Sequence, residues 1–83
     1  MTQFYHKFLV VGGYCWGAAK TLKEAKANYR NEGGKMKGVR TFIGVSEKPF
    51  KTGNEEPKEN EAHFYINEMG GVMVKDCDLI EIK

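Results

Sequence analysis

From Phe4 to Val11 the chain reads FYHKFLVV, aromatic and branched residues that become apolar on both sides toward the end of the run. A stretch of that kind predicts a β-strand covered on both faces, and so a central one. Gly12-Gly13 ends it. Apolar residues next recur at helical spacing: Leu22, Ala25 and Tyr29 form one stripe at i, i+3 and i+7. The start of this helix is the clearest local signal in the chain. Thr21-Leu22-Lys23-Glu24 is a capping box, in which the Thr21 hydroxyl accepts from the Glu24 amide and the Glu24 carboxylate reaches back to the Thr21 amide. Glu24 in the first turn also suits the helix dipole. Gly33-Gly34 stops the helix, the first glycine in a left-handed cap. A helix of about three turns does not stand alone, so it is expected to lie on a sheet.

Val39 to Val45 (VRTFIGV) predicts a second strand, with Val39, Thr41, Ile43 and Val45 on one face. Residues 46–61 hold both prolines and, apart from Phe50, almost no apolar side chain. A polar connection of that length is expected to be mobile or functional. Ala62 to Asn67 (AHFYIN) reads as a third strand, EMGG as a tight turn and VMVKDC as the returning strand, together a hairpin. LIEI, at 79–82, either continues that strand past a bend at Asp76–Asp78 or adds a short fifth one. The order β-α-β-β-β implies an α+β fold: a small antiparallel or mixed sheet of three to five strands with one helix packed on one face. The other face is then open unless a partner or a second copy covers it.

Composition narrows the class. Eighty-three residues make a single domain, and 41% hydrophobic content with ten aromatics is too apolar for a disordered chain. No apolar run approaches the roughly 20 residues of a membrane span, and the N-terminus lacks a basic-then-apolar leader, so a cytoplasmic protein that does not enter membranes is expected. Cys15 and Cys77 are far apart in sequence and too few for a secreted disulfide scaffold. With His6 and His63 they make a nominal two-Cys, two-His set, but no spacing is that of a zinc site, and neither metal nor cofactor is expected.

Gly12 to Thr21, GGYCWGAAKT, invites comparison with a phosphate-binding loop. Gly12 and Gly17 have the Walker A spacing, but Ala18-Ala19 displace Lys20-Thr21 from the nest, and Thr21 is committed to the helix cap. The stretch therefore reads as a strand-to-helix turn. Trp16 either folds back over the core or stands exposed with Tyr14 as a contact patch, since Tyr and Trp are favoured interface anchors.

Charge is unevenly placed. Residues 1–45 carry eight Lys or Arg and two Glu, a charge of +6, whereas residues 46–83 carry five Lys and nine Asp or Glu, a charge of −4. Such a chain can face two different partners or pair with itself as a homodimer. Lys23, Lys26 and Arg30 form a basic helix stripe flanked by Lys20, Lys35, Lys37 and Arg40; it is either a solvated face or a phosphate-backbone site. Phe42, Phe64 and Tyr65 on strands could stack on bases or belong to the core. Glu55, Glu56, Glu59 and Glu61 either keep a loop soluble or meet a basic surface on another protein. For catalysis, Cys15 with His6 or His63 is the only conceivable nucleophile and base, and nothing local supports that pair, so an enzyme is not expected.

CWGAAKTLKEAKANYRNEGG, within the first 34 residues, resembles small accessory proteins of bacteriophages and mobile elements, with a Trp-Gly turn, a T-L-x-E-A helix start and a basic, Asn-containing helix. Proteins of that kind act by binding host proteins, and some inhibit CRISPR or other defence systems. The resemblance thus implies a non-enzymatic module in the host cytoplasm that binds, and by binding inhibits, a host protein or ribonucleoprotein complex. Tyr14, Trp16, Lys23, Lys26, Arg30, Lys35, Lys37, Glu55 and Glu56 are the expected contacts. The alternative is a small nucleic-acid-binding module that uses the basic N-terminal half.

Overall fold

A computed structural model describes residues 4–13, 15–51, 56–67 and 69–82. The elements are β1 (Tyr5–Gly12), β2 (Cys15–Ala19), α1 (Leu22–Asn31), β3 (Arg40–Ser46), β4 (His63–Ile66), β5 (Val72–Lys75) and β6 (Asp78–Ile82). A four-stranded sheet has the order β2-β1-β3-β6, antiparallel at every pairing, and β4 and β5 form a separate hairpin. The fold is α+β as expected, but the order is β-β-α-β-β-β-β, in two sheets rather than one.

The first difference lies in GGYCWGAAKT. It does not run as a turn into the helix. Gly12 pairs with Cys15, so the chain reverses directly after β1, and Cys15–Ala19 return along it as an edge strand. Gly13 has φ +48°, the positive value that primed hairpin turns require at their first central position. Gly12 and Gly17 end on different strands, Gly17 opposite Val10, so no phosphate nest forms between them.

The helix forms as its sequence dictates. The Thr21 hydroxyl accepts from the Glu24 amide at 3.1 Å; the reciprocal carboxylate bond of the capping box is not among the hydrogen bonds of the described residues. At the other end Gly33, with φ +90°, donates to Arg30 O at 2.9 Å and Gly34 donates to Tyr29 O at 3.1 Å, the two bonds of a Schellman cap. The stripe of Leu22, Ala25 and Tyr29 meets Phe8, Val10 and Ala19 on one face of the sheet, with Met36 and Val39 closing the side. Gly17 brings the helix unusually close: a Cβ there would press on the Tyr29 backbone and lie 2.7 Å from the Ala25 carbonyl oxygen. Tyr29 is 2% exposed, and its hydroxyl donates to Lys35 O at 2.6 Å.

The opposite face of the sheet is not left open. Lys7, Gly44 and Leu79 share a rung there, with Leu9 and Phe42 on the next. Over them sit Phe64 of β4 and Phe50 of the long connection, ring to edge at 5.7 Å. A Cβ at Gly44 would meet Phe64 Cε1 at 3.1 Å and Phe50 Cζ at 3.2 Å, so the glycine makes room for both rings. Leu9 is fully buried and Phe64 3% exposed. The molecule therefore has three layers, helix, sheet and hairpin, with a small core on each side of β1 and β3.

The described residues of the 46–61 connection are fastened near its two ends. Ala62 donates to Pro49 O at 2.9 Å and Lys51 donates to Ala62 O at 2.9 Å, which holds Phe50 in the second core. Residues 79–82 do not continue the hairpin strand. Asp76, with φ +57°, turns the chain out of β5 and into the main sheet. Buried Ser46 fixes that corner: its hydroxyl donates to Asp76 O at 2.7 Å and accepts from the Lys48 amide at 2.9 Å. An ion pair, Lys48 Nζ to Asp76 Oδ2 at 3.2 Å, closes over it.

Candidate functional site

Because Val11 pairs with Trp16 on one side and Arg40 on the other, these three side chains share the sheet face away from the helix. Trp16 is 40% exposed there, on the edge strand, beyond the cover of the hairpin. It does not fold into either core, and so takes the exposed alternative of the two expected for it. Arg40 stacks over Phe42, guanidinium to ring centroid 5.1 Å, and grips Glu81 with two bonds, Nε to Oε2 at 3.1 Å and Nη2 to Oε1 at 3.0 Å. That hydrogen-bonded carboxylate pushes the already high pKa of Arg40 higher. A tryptophan, a half-buried phenylalanine and a fixed arginine thus share one face of the sheet, with Val11 between Trp16 and Arg40, and they are residue types enriched at interface centres. The edge of β2 is shielded by the helix, since Asn28 Nδ2 donates to Ala18 O at 3.0 Å.

The basic residues are spread rather than gathered. Lys23, Arg30, Lys35 and Lys37 are exposed and Lys26 is half-buried. Lys23, Lys26 and Arg30 ride on α1, while Lys35 and Lys37 follow it in the connection to β3. Glu56 is exposed beside the hairpin. Tyr14 and Glu55 lie outside the described residues. Of the three strand aromatics, Phe64 is core, Phe42 is the platform for Arg40, and Tyr65 is exposed.

A second surface was not legible in the sequence. Pairing of His63 with Lys75 and of Tyr65 with Met73 places all four on the outer face of the hairpin, while Phe64 points into the core. The His63 and Tyr65 rings are stacked, centroids 5.3 Å apart and planes within 17°. Around them Lys51, Glu56, Pro57 and Val74 complete a shallow hollow of about 500 Å³. Partial burial first, then the charges of Lys51, Lys7 and Lys75, hold the His63 imidazole below its ordinary pKa of 6.5. Burial and the neighbouring lysines both favour the neutral form of the His63 ring. Lys7 Nζ sits 5.6 Å from the centre of the Phe64 ring, and burial with the neighbouring Lys51 lowers its pKa also.

The thiols are held apart. Cys15 Sγ donates to Glu32 O at 3.3 Å and Cys77 Sγ to His63 O at 3.6 Å, and both are free. Cys77 meets the backbone of His63, not its imidazole, and burial pushes its pKa up, away from the reactive thiolate. Among the described residues no three His, Cys, Asp or Glu side chains converge as metal ligands, and no helix is long and apolar enough to cross a membrane. In comparisons with protein-family models, with curated proteins and with solved structures, the chain matches none.

Proposed function

We propose that the protein is a non-enzymatic interaction module that binds a host protein complex and inhibits it by occupying its surface. The observation that carries this reading is the Trp16 face: in a domain with small cores, the single tryptophan is exposed on an edge strand, on the same sheet face as Arg40 stacked on Phe42. A large aromatic and a pre-ordered arginine on one face give contact area at little entropic cost, as binding hot spots do. The shielded thiol of Cys77 supports a role without covalent chemistry. The bacteriophage resemblance supplies the class of partner, a defence effector such as a CRISPR complex. The exposed lysines and Arg30 on and after the helix would add electrostatic steering toward an acidic partner surface.

The test is capture of partners from bacterial host lysate by the tagged chain, with and without nuclease, and by the W16A variant. A protein complex retained after nuclease and lost with W16A is the expected result. Trp16→Ala, at an exposed site, should cost roughly 1 kcal/mol of stability or less, so loss of capture reports the surface and not the fold. Partners that vanish with nuclease, whose retention falls steeply with salt and is lost when Lys23, Lys26 and Arg30 are replaced by Met, would overturn this reading in favour of nucleic acid on the basic half.

A further inference from the structure

The outer face of the β4–β5 hairpin is separate from the Trp16 surface and has a different chemistry. Its inner face fills a core, so the hairpin is fixed in place by Phe64 and Phe50. Yet its outer face leaves Tyr65 43% and Met73 42% exposed. The near-parallel stacking of His63 on Tyr65 orders two rings as the start of a column. Lys51 and Lys75 border the same hollow together with Glu56. Lys75 is partly ordered by donating to Lys58 O at 3.3 Å, which holds its ammonium at the rim. Stacked rings flanked by cations complement a ligand that alternates flat rings with negative charges. We propose that this face binds single-stranded nucleic acid, stacking a base on the Tyr65–His63 pair and setting the adjoining phosphates against Lys51 and Lys75. Successive bases offer π-faces and successive phosphates offer charge, so recognition would tolerate sequence and depend on salt. An acidic peptide would satisfy the lysines but leave the ordered ring pair unused.

Fluorescence anisotropy of the purified chain with labelled 12-nucleotide oligo-dT and oligo-U, from low to moderate salt, tests this. Both strands should bind and a blunt duplex should bind more weakly. Y65A should weaken strand binding roughly tenfold or more while Y65F keeps it, as expected for stacking on the ring. K51M and K75M should each flatten the log–log salt slope by about one. Substituting Lys23, Lys26 and Arg30 together by Met should leave strand binding unchanged. Circular dichroism of Y65A checks the fold, and Y65F keeps the test valid should Y65A lose it. The proposal is overturned by no strand binding at low salt, by Y65F weakening as much as Y65A, or by loss on the helix substitutions instead. Thymidine monophosphate binding as tightly as the strand, or poly-glutamate competing equally with it, would likewise overturn it.

Discussion

Gly17→Ala is a one-methyl change on an edge strand, and the structure makes it severe. The new Cβ would press on the Tyr29 amide and lie 2.7 Å from Ala25 O and 2.9 Å from Tyr29 Cα. Ordinary contacts need about 3.5 Å or more, so α1 must retreat by roughly 1 Å. Every obstructing atom is helix backbone, which cannot rotate aside as a side chain could. The retreat also loosens Ala25 and Tyr29, 0% and 2% exposed, from the core they share with Val10. Overpacking of this kind costs about 1–3 kcal/mol, and a backbone obstacle points to the upper end. The lower entropy of the unfolded alanine chain returns a fraction of a kcal/mol, leaving a net loss of about 2 kcal/mol. A domain of this size has only about 4–12 kcal/mol in all. With a urea m-value of about 1.5 kcal/mol/M, the midpoint should fall by about 1.3 M, followed by far-ultraviolet circular dichroism. Ala25→Gly should not rescue it, because the Ala25 atom in the way is the carbonyl oxygen. Gly13→Ala is the contrast: at φ +48°, with nothing within 4 Å, it meets only backbone strain, about 1–2 kcal/mol. A Gly17→Ala protein within about 0.5 kcal/mol of wild type would refute the close-approach account.

Other consequences concern the cap, the histidine and the half-buried thiol. Thr21→Ala removes the acceptor of the Glu24 amide and should cost about 1 kcal/mol in the same urea assay, with Thr21→Ser restoring most of it. His63 has its pKa lowered by folding, so between its folded value and 6.5 the unfolded chain binds more protons. Stability should therefore be flat above about pH 6.5, fall as pH drops below it, and level off under the folded pKa. His63→Gln should remove that slope, and Lys51→Met should raise the imidazole pKa seen by NMR; a His63 titrating at or above 6.5 contradicts the geometry. Cys77, its thiol pKa raised by burial, should alkylate slowly with iodoacetamide at pH 7 and faster as pH climbs or urea opens the fold. Rapid labelling of native Cys77 at neutral pH would contradict this.

The helix was legible because its signals are local. A capping threonine, a stripe at helical spacing and a double glycine each act within one or two turns, and the structure uses the Thr21 hydroxyl, the stripe and the glycines. The β2 strand was not legible, because CWGAA has too little branched or alternating character to read as a strand. It pairs because β1 stands beside it and because Gly17 and Ala19 are small enough to admit α1, which is tertiary information. The same holds for Phe50. Alone among polar residues it looks like an exception in a loop, and only the space above Gly44 shows that it is core.

The surfaces divide in the same way. Trp16 could be singled out by residue type, but its exposure depends on which face the hairpin covers, and that follows from how Phe64 docks on Gly44. Phe64 and Tyr65 are adjacent aromatics, and the pleat sends one to each side of β4. Alternation in AHFYIN indicates the phase, with Ala62, Phe64 and Ile66 apolar and His63, Tyr65 and Asn67 polar, and the returning strand agrees, with Val72 and Val74 on one side and Met73 and Lys75 on the other. The hollow above Gly44 secures it, because it accepts Phe64 without a hydroxyl to satisfy. Tyr65 there would bury an oxygen with no partner, a loss of about 1–3 kcal/mol. The choice that fills the second core is therefore the choice that exposes Tyr65 beside His63, Lys51 and Lys75, and packing on one side of the hairpin creates the recognition chemistry on the other.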